Sequence, residues 1–161
     1  MMYFLIDGYN LLFSWAEEGH SLQVQRNRMI QWLRSIFNKK NLRGLVIFDG
    51  AHRRGEESGL SYASPLEIAY TPKGQSADEY ILEYLEGQKK LSTTVIVTND
   101  QGLRRRAASL NVKVQSNHVF LRSLAKQSKR VDEKNPTIGE TSQQIERLLK
   151  IFEKKFREEN E

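Results

Sequence analysis

The stretch that decides the fold is Tyr3-Phe4-Leu5-Ile6-Asp7-Gly8-Tyr9-Asn10. Its first four residues form a continuous apolar run, which is typical of a strand buried on both faces of a parallel sheet. The run leads directly to a carboxylate, and the glycine that follows predicts a sharp turn. Because ligands of open α/β sheets bind just outside the carboxyl ends of the strands, this stretch predicts a functional site at Asp7.

The length and composition of the chain indicate one globular domain. Its 161 residues are enough for a substantial core. The absence of cysteine excludes a disulfide framework, a thiolate nucleophile and a zinc–thiolate site, and it favours a reducing, cytoplasmic location. No apolar run approaches the roughly 20 residues of a membrane span, and the N-terminus lacks the pattern of a signal peptide, so we expect no membrane association.

The charge of the chain is positive and unevenly distributed. The net charge is +5 and the pI is about 9.5. Between residues 101 and 130 there are eight lysine or arginine residues and no acidic residue. A block of one sign beside an acidic site suits a protein that handles a polyanion. Charge alone leaves a solvated basic face without a partner as an equal alternative.

Apolar runs alternate with helical patterns along the first 115 residues. Short strands are predicted at 3–6, 45–48, 66–71, 94–98 and 112–115. Helices are predicted at 21–38 and 76–88, and again after Asp100. The polar stretch 51–65 has no periodicity and predicts a loop that closes on a substrate. This alternation predicts an α/β fold with a central, mostly parallel five-stranded sheet and right-handed crossovers.

The C-terminal part of the chain reads differently. A basic helix or turn is predicted at 119–128, and a linker with Pro136 and Gly139 is predicted at 132–140. An amphipathic helix follows from about residue 141. We therefore divide the chain into a domain at 1–130 and a linker with a C-terminal helix at 131–161. The apolar stripe of that helix would serve a core or a dimer equally, which leaves monomer and homodimer both open.

Acidic residues gather where the predicted strands end. Asp7, Asp49 and Asp100 each follow a strand, and Asp78 lies in the first turn of the helix after the third strand. If these strands are parallel, the four carboxylates meet at one edge of the sheet. Such a group cannot stay fully ionised without a compensating charge, and Mg²⁺ or Mn²⁺ prefers oxygen ligands of this kind. Asn10 would add an amide oxygen or position a water.

Each of these aspartates also has a purely structural alternative. Asp7 and Asp49 precede glycines and could simply end their strands in turns. Asp78 could interact with the helix dipole, with Glu79 and Ser76 forming a capping box. Asp100 could be the N-cap of its helix. Their convergence, more than any single residue, favours a site.

Other chemistries find less support in the sequence. There is no Walker A sequence, no G-x-G-x-x-G and no G-x-S-x-G nucleophile elbow. A divalent cation held by carboxylates beside basic residues suits the hydrolysis of a phosphodiester bond.

Four short motifs, in order, resemble those of a known family. They are Phe4–Asn10, Val46–Asp49, Ser76–Tyr80 and Val97–Asp100. Together they resemble the NYN domain family, and within it the YacP-like branch of bacterial ribonucleases, which is related to PIN-domain nucleases. The resemblance runs from about Met1 to Lys129. Asn99 stands where a serine is common in that branch.

The resemblance implies a PIN-like three-layer fold and a metal-dependent endoribonuclease that leaves a 5′-phosphate and a 3′-hydroxyl. It implies Mg²⁺ or Mn²⁺ as cofactor, held by Asp7, Asp78 and Asp100. Asn10 and Asp49 would orient ligands or water. The substrate could be mRNA on the ribosome. RNA phosphates would be bound by five arginines: Arg53, Arg54, Arg104, Arg105 and Arg106.

Three further expectations remain to be tested. Tyr9 and Trp15 could stack on unpaired bases, although core packing is the simpler use of either. The first alternative function is a non-catalytic RNA- or ribosome-binding module. The second is a small-molecule phosphohydrolase that uses the same metal chemistry.

Overall fold

The structure is a computed structural model that describes residues 2–15, 19–50, 59–62, 65–88 and 91–134, and residues 147, 150 and 154. Strands and helices alternate along this part of the chain. They are β1 (Tyr3–Asp7), α1 (Gly8–Trp15), α2 (Leu22–Lys39), β2 (Arg43–Phe48), β3 (Gly59–Tyr62), β4 (Leu66–Tyr70), α3 (Ala77–Glu86), β5 (Thr94–Val97), α4 (Gln101–Ser109), β6 (Lys113–Gln115) and α5 (Asn117–Lys134).

One sheet contains all six of these strands, in the order β3-β4-β2-β1-β5-β6. β1 lies in the middle and pairs in parallel with β2 and β5, and β4 and β6 continue the parallel arrangement on either side. β3 pairs antiparallel with β4. The predicted α/β fold with a mostly parallel sheet is confirmed, and each of the five predicted strands is present.

β3 is the strand that the sequence did not predict. It lies inside the stretch 51–65, which was predicted to be a loop, and this part of the prediction was wrong. Its sequence, Gly59-Leu60-Ser61-Tyr62, is too short and too polar to show a strand pattern. β3 forms because it pairs with the edge of β4, and a pairing with another segment leaves no pattern in the residues of β3 itself. Residues 51–58 of the predicted loop lie outside the described residues.

The order of the strands places a switch point beside β1. From β1 the chain builds outward through β2 to β4 on one side, and then crosses back to β5 on the other side. The connections on either side of this point therefore leave the sheet in opposite directions. In open α/β sheets, the crevice at such a point is where ligands bind.

Helices cover both faces of the sheet and form two separate cores. On one face, residues of α1, α2 and α5 pack with side chains of the sheet, among them Phe37, Phe48 and Phe120. On the other face, α3 and α4 contribute Ile81 and Leu103. Helical spacing predicts one apolar face of α2, and its residues are all buried: Met29, Ile30, Leu33, Ile36 and Phe37.

Three local predictions need correction. Gly8 forms no turn, because it begins α1; glycine is needed there since a Cβ would lie 2.6 Å from the Phe48 ring. Helical spacing places Arg26 mostly off the apolar face of α2, but it is 6 % exposed and donates from Nη1 to the Tyr9 hydroxyl over 3.1 Å. α5 continues to Lys134, past the predicted start of the linker at 132.

The remaining C-terminal predictions lie almost wholly outside the described residues, including the linker beyond 134 and the last amphipathic helix. Within the part of the chain that the structure describes, no helix has the length and apolar character needed to cross a membrane.

Candidate active site

Three acidic residues stand at the N-terminal ends of three helices, at the edge where the parallel strands end. Asp7 is the last residue of β1 and directly precedes α1. Asp78 lies in the first turn of α3, which follows β4. Asp100 is the N-cap of α4, which follows β5. The parallel pairing of these strands therefore brings together side chains that are up to 93 positions apart in the sequence.

Asp7 is the buried member of the three. Only 7 % of it is exposed. Its Oδ2 accepts a hydrogen bond from Thr98 Oγ1 over 3.2 Å, and the backbone N–H of Asn10 also donates to its carboxylate. Burial, followed by repulsion from Asp78 and a smaller repulsion from Asp100, raises the pKa of Asp7 to about 7, although the two hydrogen bonds act in the opposite direction.

Asp78 is half-buried, and its helix start is fixed by two local structures. The Ser76 hydroxyl caps α3 by accepting from the Glu79 backbone N–H over 3.2 Å, which confirms the predicted cap. Before it, the Thr71 hydroxyl accepts from the Gly50 backbone N–H and donates to the Gln75 carbonyl. Burial and the charge of Asp100 raise the pKa of Asp78, whereas Arg106 lowers it.

Asp100 performs the structural role that the sequence left open. Its Oδ1 accepts from the Leu103 backbone N–H over 2.9 Å, so it caps α4. Its own backbone N–H donates to Thr98 Oγ1 over 3.1 Å. Thr98 therefore links Asp7 to Asp100 through one hydroxyl. The cap uses one carboxylate oxygen, and Asp100 Oδ2 accepts no hydrogen bond from the described residues.

An amide cluster holds the first turn of α1 against the β5–α4 connection. Asn10 Oδ1 accepts from the Asn99 backbone N–H over 2.8 Å and from Asn117 Nδ2 over 3.0 Å. Asn117 Nδ2 also lies 3.2 Å from the Asn10 carbonyl oxygen and 2.8 Å from Ser14 Oγ. The Asn117 backbone N–H donates to Asn99 Oδ1 over 2.9 Å. Three distant segments thus meet at Asn10.

Asn117 was missed in the sequence. It is fully buried at the first position of α5. A single asparagine near a predicted basic helix carries no signal of its own, because its partners lie 103 and 107 positions away along the chain. Only the tertiary structure shows that it contacts the edge of the sheet.

The other predicted residues have different positions. Asp49 is half-buried just beyond β2, and it is not among the groups that shift the pKa of Asp7 or Asp78. Arg53 and Arg54 lie outside the described residues.

In the run Arg104–Arg106, Arg106 is the member that faces the acidic residues. Its charge acts on Asp78. Arg106 Nη2 and Asp100 Oδ1 both lie close to Gly102, at 4.0 Å and 3.2 Å from the position that a Cβ atom of this residue would take. Arg105 and Arg106 are both exposed, and Arg104 is half-buried. The three arginines therefore have distinct positions relative to the edge.

Core packing is the use that the structure assigns to Tyr9. Its buried ring packs edge-on against Phe48 with a centroid distance of 4.9 Å. Phe13, one helical turn later, is 54 % exposed and stacks on Tyr9 at 5.7 Å. The side chain of Trp15 lies outside the described residues.

The donor atoms of the site suit a hard divalent cation, but their spacing is not that of a closed metal site. Among the described residues, no three acidic or histidine side chains form a group that would hold an ion. Asp7, Asp78 and Asp100 nevertheless supply oxygen atoms, and burial together with repulsion among these carboxylates raises the pKa of Asp7 and of Asp78. The electrostatic fit to a cation is therefore good.

An open α/β sheet with acidic side chains at its switch point suits a hydrolytic nuclease, but the fold alone does not assign the function. The chain matches the YacP-like NYN domain family over residues 4–160, and it belongs to that family. Membership implies a nuclease function, with RNA as the substrate, and nucleases of this kind generally depend on divalent metal ions. The match continues beyond Lys129, where the resemblance recognised in the sequence ended, so it includes the C-terminal segment. The division at residue 130 stays a prediction.

Two solved structures share the fold. The crystal structure of Rae1 (YacP) from Bacillus subtilis has a TM-score of 0.68 and 23 % identity, and the alignment covers 98 % of this chain and 95 % of that one. A mutant of the same protein gives a TM-score of 0.68 and 19 % identity, with 92 % of both chains covered. At these identities the likeness shows the fold alone. No curated protein matches the chain in sequence.

Proposed function

We propose that this protein is a metal-dependent endoribonuclease that hydrolyses RNA phosphodiester bonds at the edge formed by Asp7, Asp78 and Asp100. One observation carries the proposal. Asp7 is buried at the switch point of the sheet, and repulsion from two neighbouring carboxylates helps to raise its pKa to about 7. A carboxylate that serves only to end a strand gains nothing from such an environment, whereas a cation ligand does.

Mg²⁺ or Mn²⁺ is the proposed cofactor, held by these three aspartates. When bound, such an ion polarises a phosphoryl oxygen and makes water a stronger nucleophile. Asp7 is fixed by Thr98 and by the α1 backbone. Asp78 makes no hydrogen bond to the described residues, so its side chain is free to turn towards the others. Asp49, at the margin of this edge, would orient a water.

The RNA would be held by the basic residues beside the edge. Arg106, whose charge acts on Asp78, would contact the phosphate nearest the aspartates, and Arg104 and Arg105 would extend the positive surface along α4. Arg53 and Arg54 are proposed as further phosphate contacts. Phosphate contacts of this kind give affinity that depends on salt and little on sequence.

We extend the proposal to mRNA presented by the ribosome in the cytoplasm. It is supported by the eight basic residues between positions 101 and 130, which suit a large polyanionic surface, and by the absence of cysteine. RNA carried by translating ribosomes is therefore tested beside free RNA.

The test is the cleavage of end-labelled single-stranded RNA with Mg²⁺, with Mn²⁺ and with EDTA. We expect internal cuts by the wild-type protein that require the metal, and we expect Asp7→Asn to lose them. The matched control is Glu86→Gln, which makes the same change from carboxylate to amide on an exposed residue at the far end of α3. It should cut as the wild type does.

The other outcomes distinguish the ribosomal setting from two alternative functions. Cutting that appears only when the RNA is carried by translating ribosomes supports the ribosomal setting. RNA association without cutting under any of these conditions overturns the proposal in favour of a binding module. Turnover of nucleotides or phosphate monoesters, with RNA left intact, overturns it in favour of a small-molecule phosphohydrolase.

A further inference from the structure

We propose that Asn10 contacts the RNA phosphate as a hydrogen-bond donor through Nδ2, and that the buried Asn117 is the positioning residue that fixes it in this orientation. The inference rests on the proposed function and refines it. The resemblance suggested that Asn10 orients metal ligands or water, for which its amide oxygen would be the natural atom. The hydrogen bonds of the structure give that oxygen another use.

The amide oxygen of Asn10 is already occupied. It accepts one hydrogen bond from the Asn99 backbone N–H and a second from Asn117 Nδ2. A carbonyl oxygen of a side-chain amide has two lone pairs, and both have donors here. Little capacity remains for a cation.

The orientation of both amides is fixed by backbone groups. The Asn99 backbone N–H can only donate, so the atom of Asn10 that faces it must be the oxygen. The Asn10 backbone carbonyl can only accept, so the atom of Asn117 that faces it must be the nitrogen. A flipped amide at either residue would place two donors or two acceptors against each other.

Asn10 Nδ2 is consequently the end of the amide that remains for a ligand. It donates to no described residue, and it is not one of the buried polar atoms without a partner. It therefore faces solvent, at the junction between α1 and the β5–α4 connection that carries Asp100. Phosphates are repelled by the three aspartates at this edge, and a fixed neutral donor offsets that repulsion without competing for the cation.

Asn117 has the features of a residue kept for positioning. It is fully buried, and its Oδ1 is a buried acceptor without a partner. Leaving such an acceptor unpaired lowers the stability of the folded protein. An apolar residue at this position would avoid that cost, but it would also release Asn10 and Asn99. Asn117 would be retained, in spite of its unpaired oxygen, if the orientation of Asn10 matters more than the stability that is lost.

The decisive variant is Asn10→Asp. It keeps an oxygen that can accept both hydrogen bonds, and it replaces the Nδ2 donor by a second, anionic oxygen. We expect RNA cleavage to fall at least tenfold, while Mn²⁺ affinity measured by titration calorimetry is unchanged or higher. Unchanged or increased cleavage would overturn the inference, because it would show that Asn10 acts through oxygen. Asp7→Asn in the same assay reports on the proposed function separately.

The role of Asn117 is tested by a double-mutant cycle on kcat with Asn117→Ala, Asn10→Ala and the double variant. If Asn117 acts through Asn10, the double variant should lose no more kcat than Asn10→Ala alone. Additive losses would overturn the positioning role. Leu85→Ala, which lowers stability in the core on the opposite face from Asn117, is the control for destabilisation alone and should leave kcat intact at a temperature where it is folded.

A second readout does not depend on turnover. In ¹⁵N spectra of the Asp7→Asn protein with Mg²⁺, addition of a short oligouridine should shift the Asn10 side-chain amide, and the Asn27 amide on the exposed face of α2 should not move. The Asn117 amide protons should exchange slowly. RNA binding that leaves the Asn10 amide unshifted overturns the inference alone, whereas failure of the RNA to bind overturns the proposed function as well.

Discussion

At the scale of single residues, Asp7 is a carboxylate of the candidate site whose charge lowers the stability of the folded protein. The residue is buried among apolar strand neighbours and faces two other carboxylates, so the folded protein disfavours its charged form. Its folded pKa of about 7 lies above the ordinary value of 3.8. Between these two values the folded state holds more protons than the unfolded state, and stability therefore falls as the pH rises.

The first prediction follows from this difference and applies to protein kept in EDTA. From pH 4 to pH 7 the wild type should lose free energy of unfolding relative to Asp7→Asn, by up to about 4 kcal/mol. The amide resembles the protonated acid, and it can still cap α1. Urea unfolding at several pH values measures the difference. Two variants that keep a constant difference across this range would contradict the prediction.

Some candidate site residues are visible in the sequence because their positions follow from local patterns. Asp7, Asp78 and Asp100 were singled out because the end of an apolar run, or the start of a helix, is visible in a few neighbouring letters. Asn117 and the burial of Arg26 were not found, because both depend on contacts between segments that are distant in the sequence. Asp49 shares the local pattern of Asp7, yet it is not among the groups that shift the pKa of Asp7 or of Asp78.

At the scale of elements, α4 combines two functions in its first two turns. Asp100 caps the helix, and Arg106, on its second turn, points back towards the same end. Side chains on a helix lean towards its N-terminus, which explains this reach. Arg105, the preceding residue, is exposed as Arg106 is, but it is not among the groups that shift the pKa of Asp78. Two arginines that look equivalent in the sequence therefore differ in their position relative to the aspartates, because the helix directs their side chains differently.

The second prediction compares these two arginines. Arg106→Ala should lower kcat/KM for RNA by about tenfold or more, because it removes the positive charge next to the aspartates. Arg105→Ala removes the same charge from the same helix and should change kcat/KM less than threefold at moderate salt. Steady-state kinetics on both variants provides the comparison. Equal losses would mean that α4 contributes only a diffuse positive field.

The elements themselves were predicted well where periodicity was strong. α2 shows a long apolar stripe and was placed within one residue at each end. Residues 11–19 were predicted as a short helical turn and a loop, so the start of α1 at Gly8 was missed. Gly8 was taken for a turn, whereas the close approach of Phe48 requires a glycine there. β3 was missed because its pairing is supplied by β4 and not by its own residues.

At the scale of the whole molecule, the core extends into α5. Phe120, Leu121 and Leu124 pack on the face of the sheet that also carries α2. Sequence patterns predicted the layers of the fold and its parallel sheet, since alternating strands and helices permit few other arrangements. They did not give the order of the strands, which depends on the crossing from β4 back to β5.

The third prediction concerns the domain boundary. A chain ending at residue 134 should unfold cooperatively and keep RNA cleavage, because the described core is complete within it. A chain ending at residue 116 should not fold, since it loses the buried residues of α5. Circular dichroism during heating tests both. Failure of the longer fragment to fold would place part of the core in the C-terminal segment and would refute the boundary at residue 130.

The central position of β1 has a further consequence for the timing of activity during synthesis. Although β1 is made first, its partner β5 begins 91 residues later, and Asn117 must follow before Asn10 is held. Contacts at such separations form late in folding. A chain still being translated therefore carries Asp7 without an assembled edge. The growing protein would be unable to cut the message that encodes it until nearly all of its domain has left the ribosome.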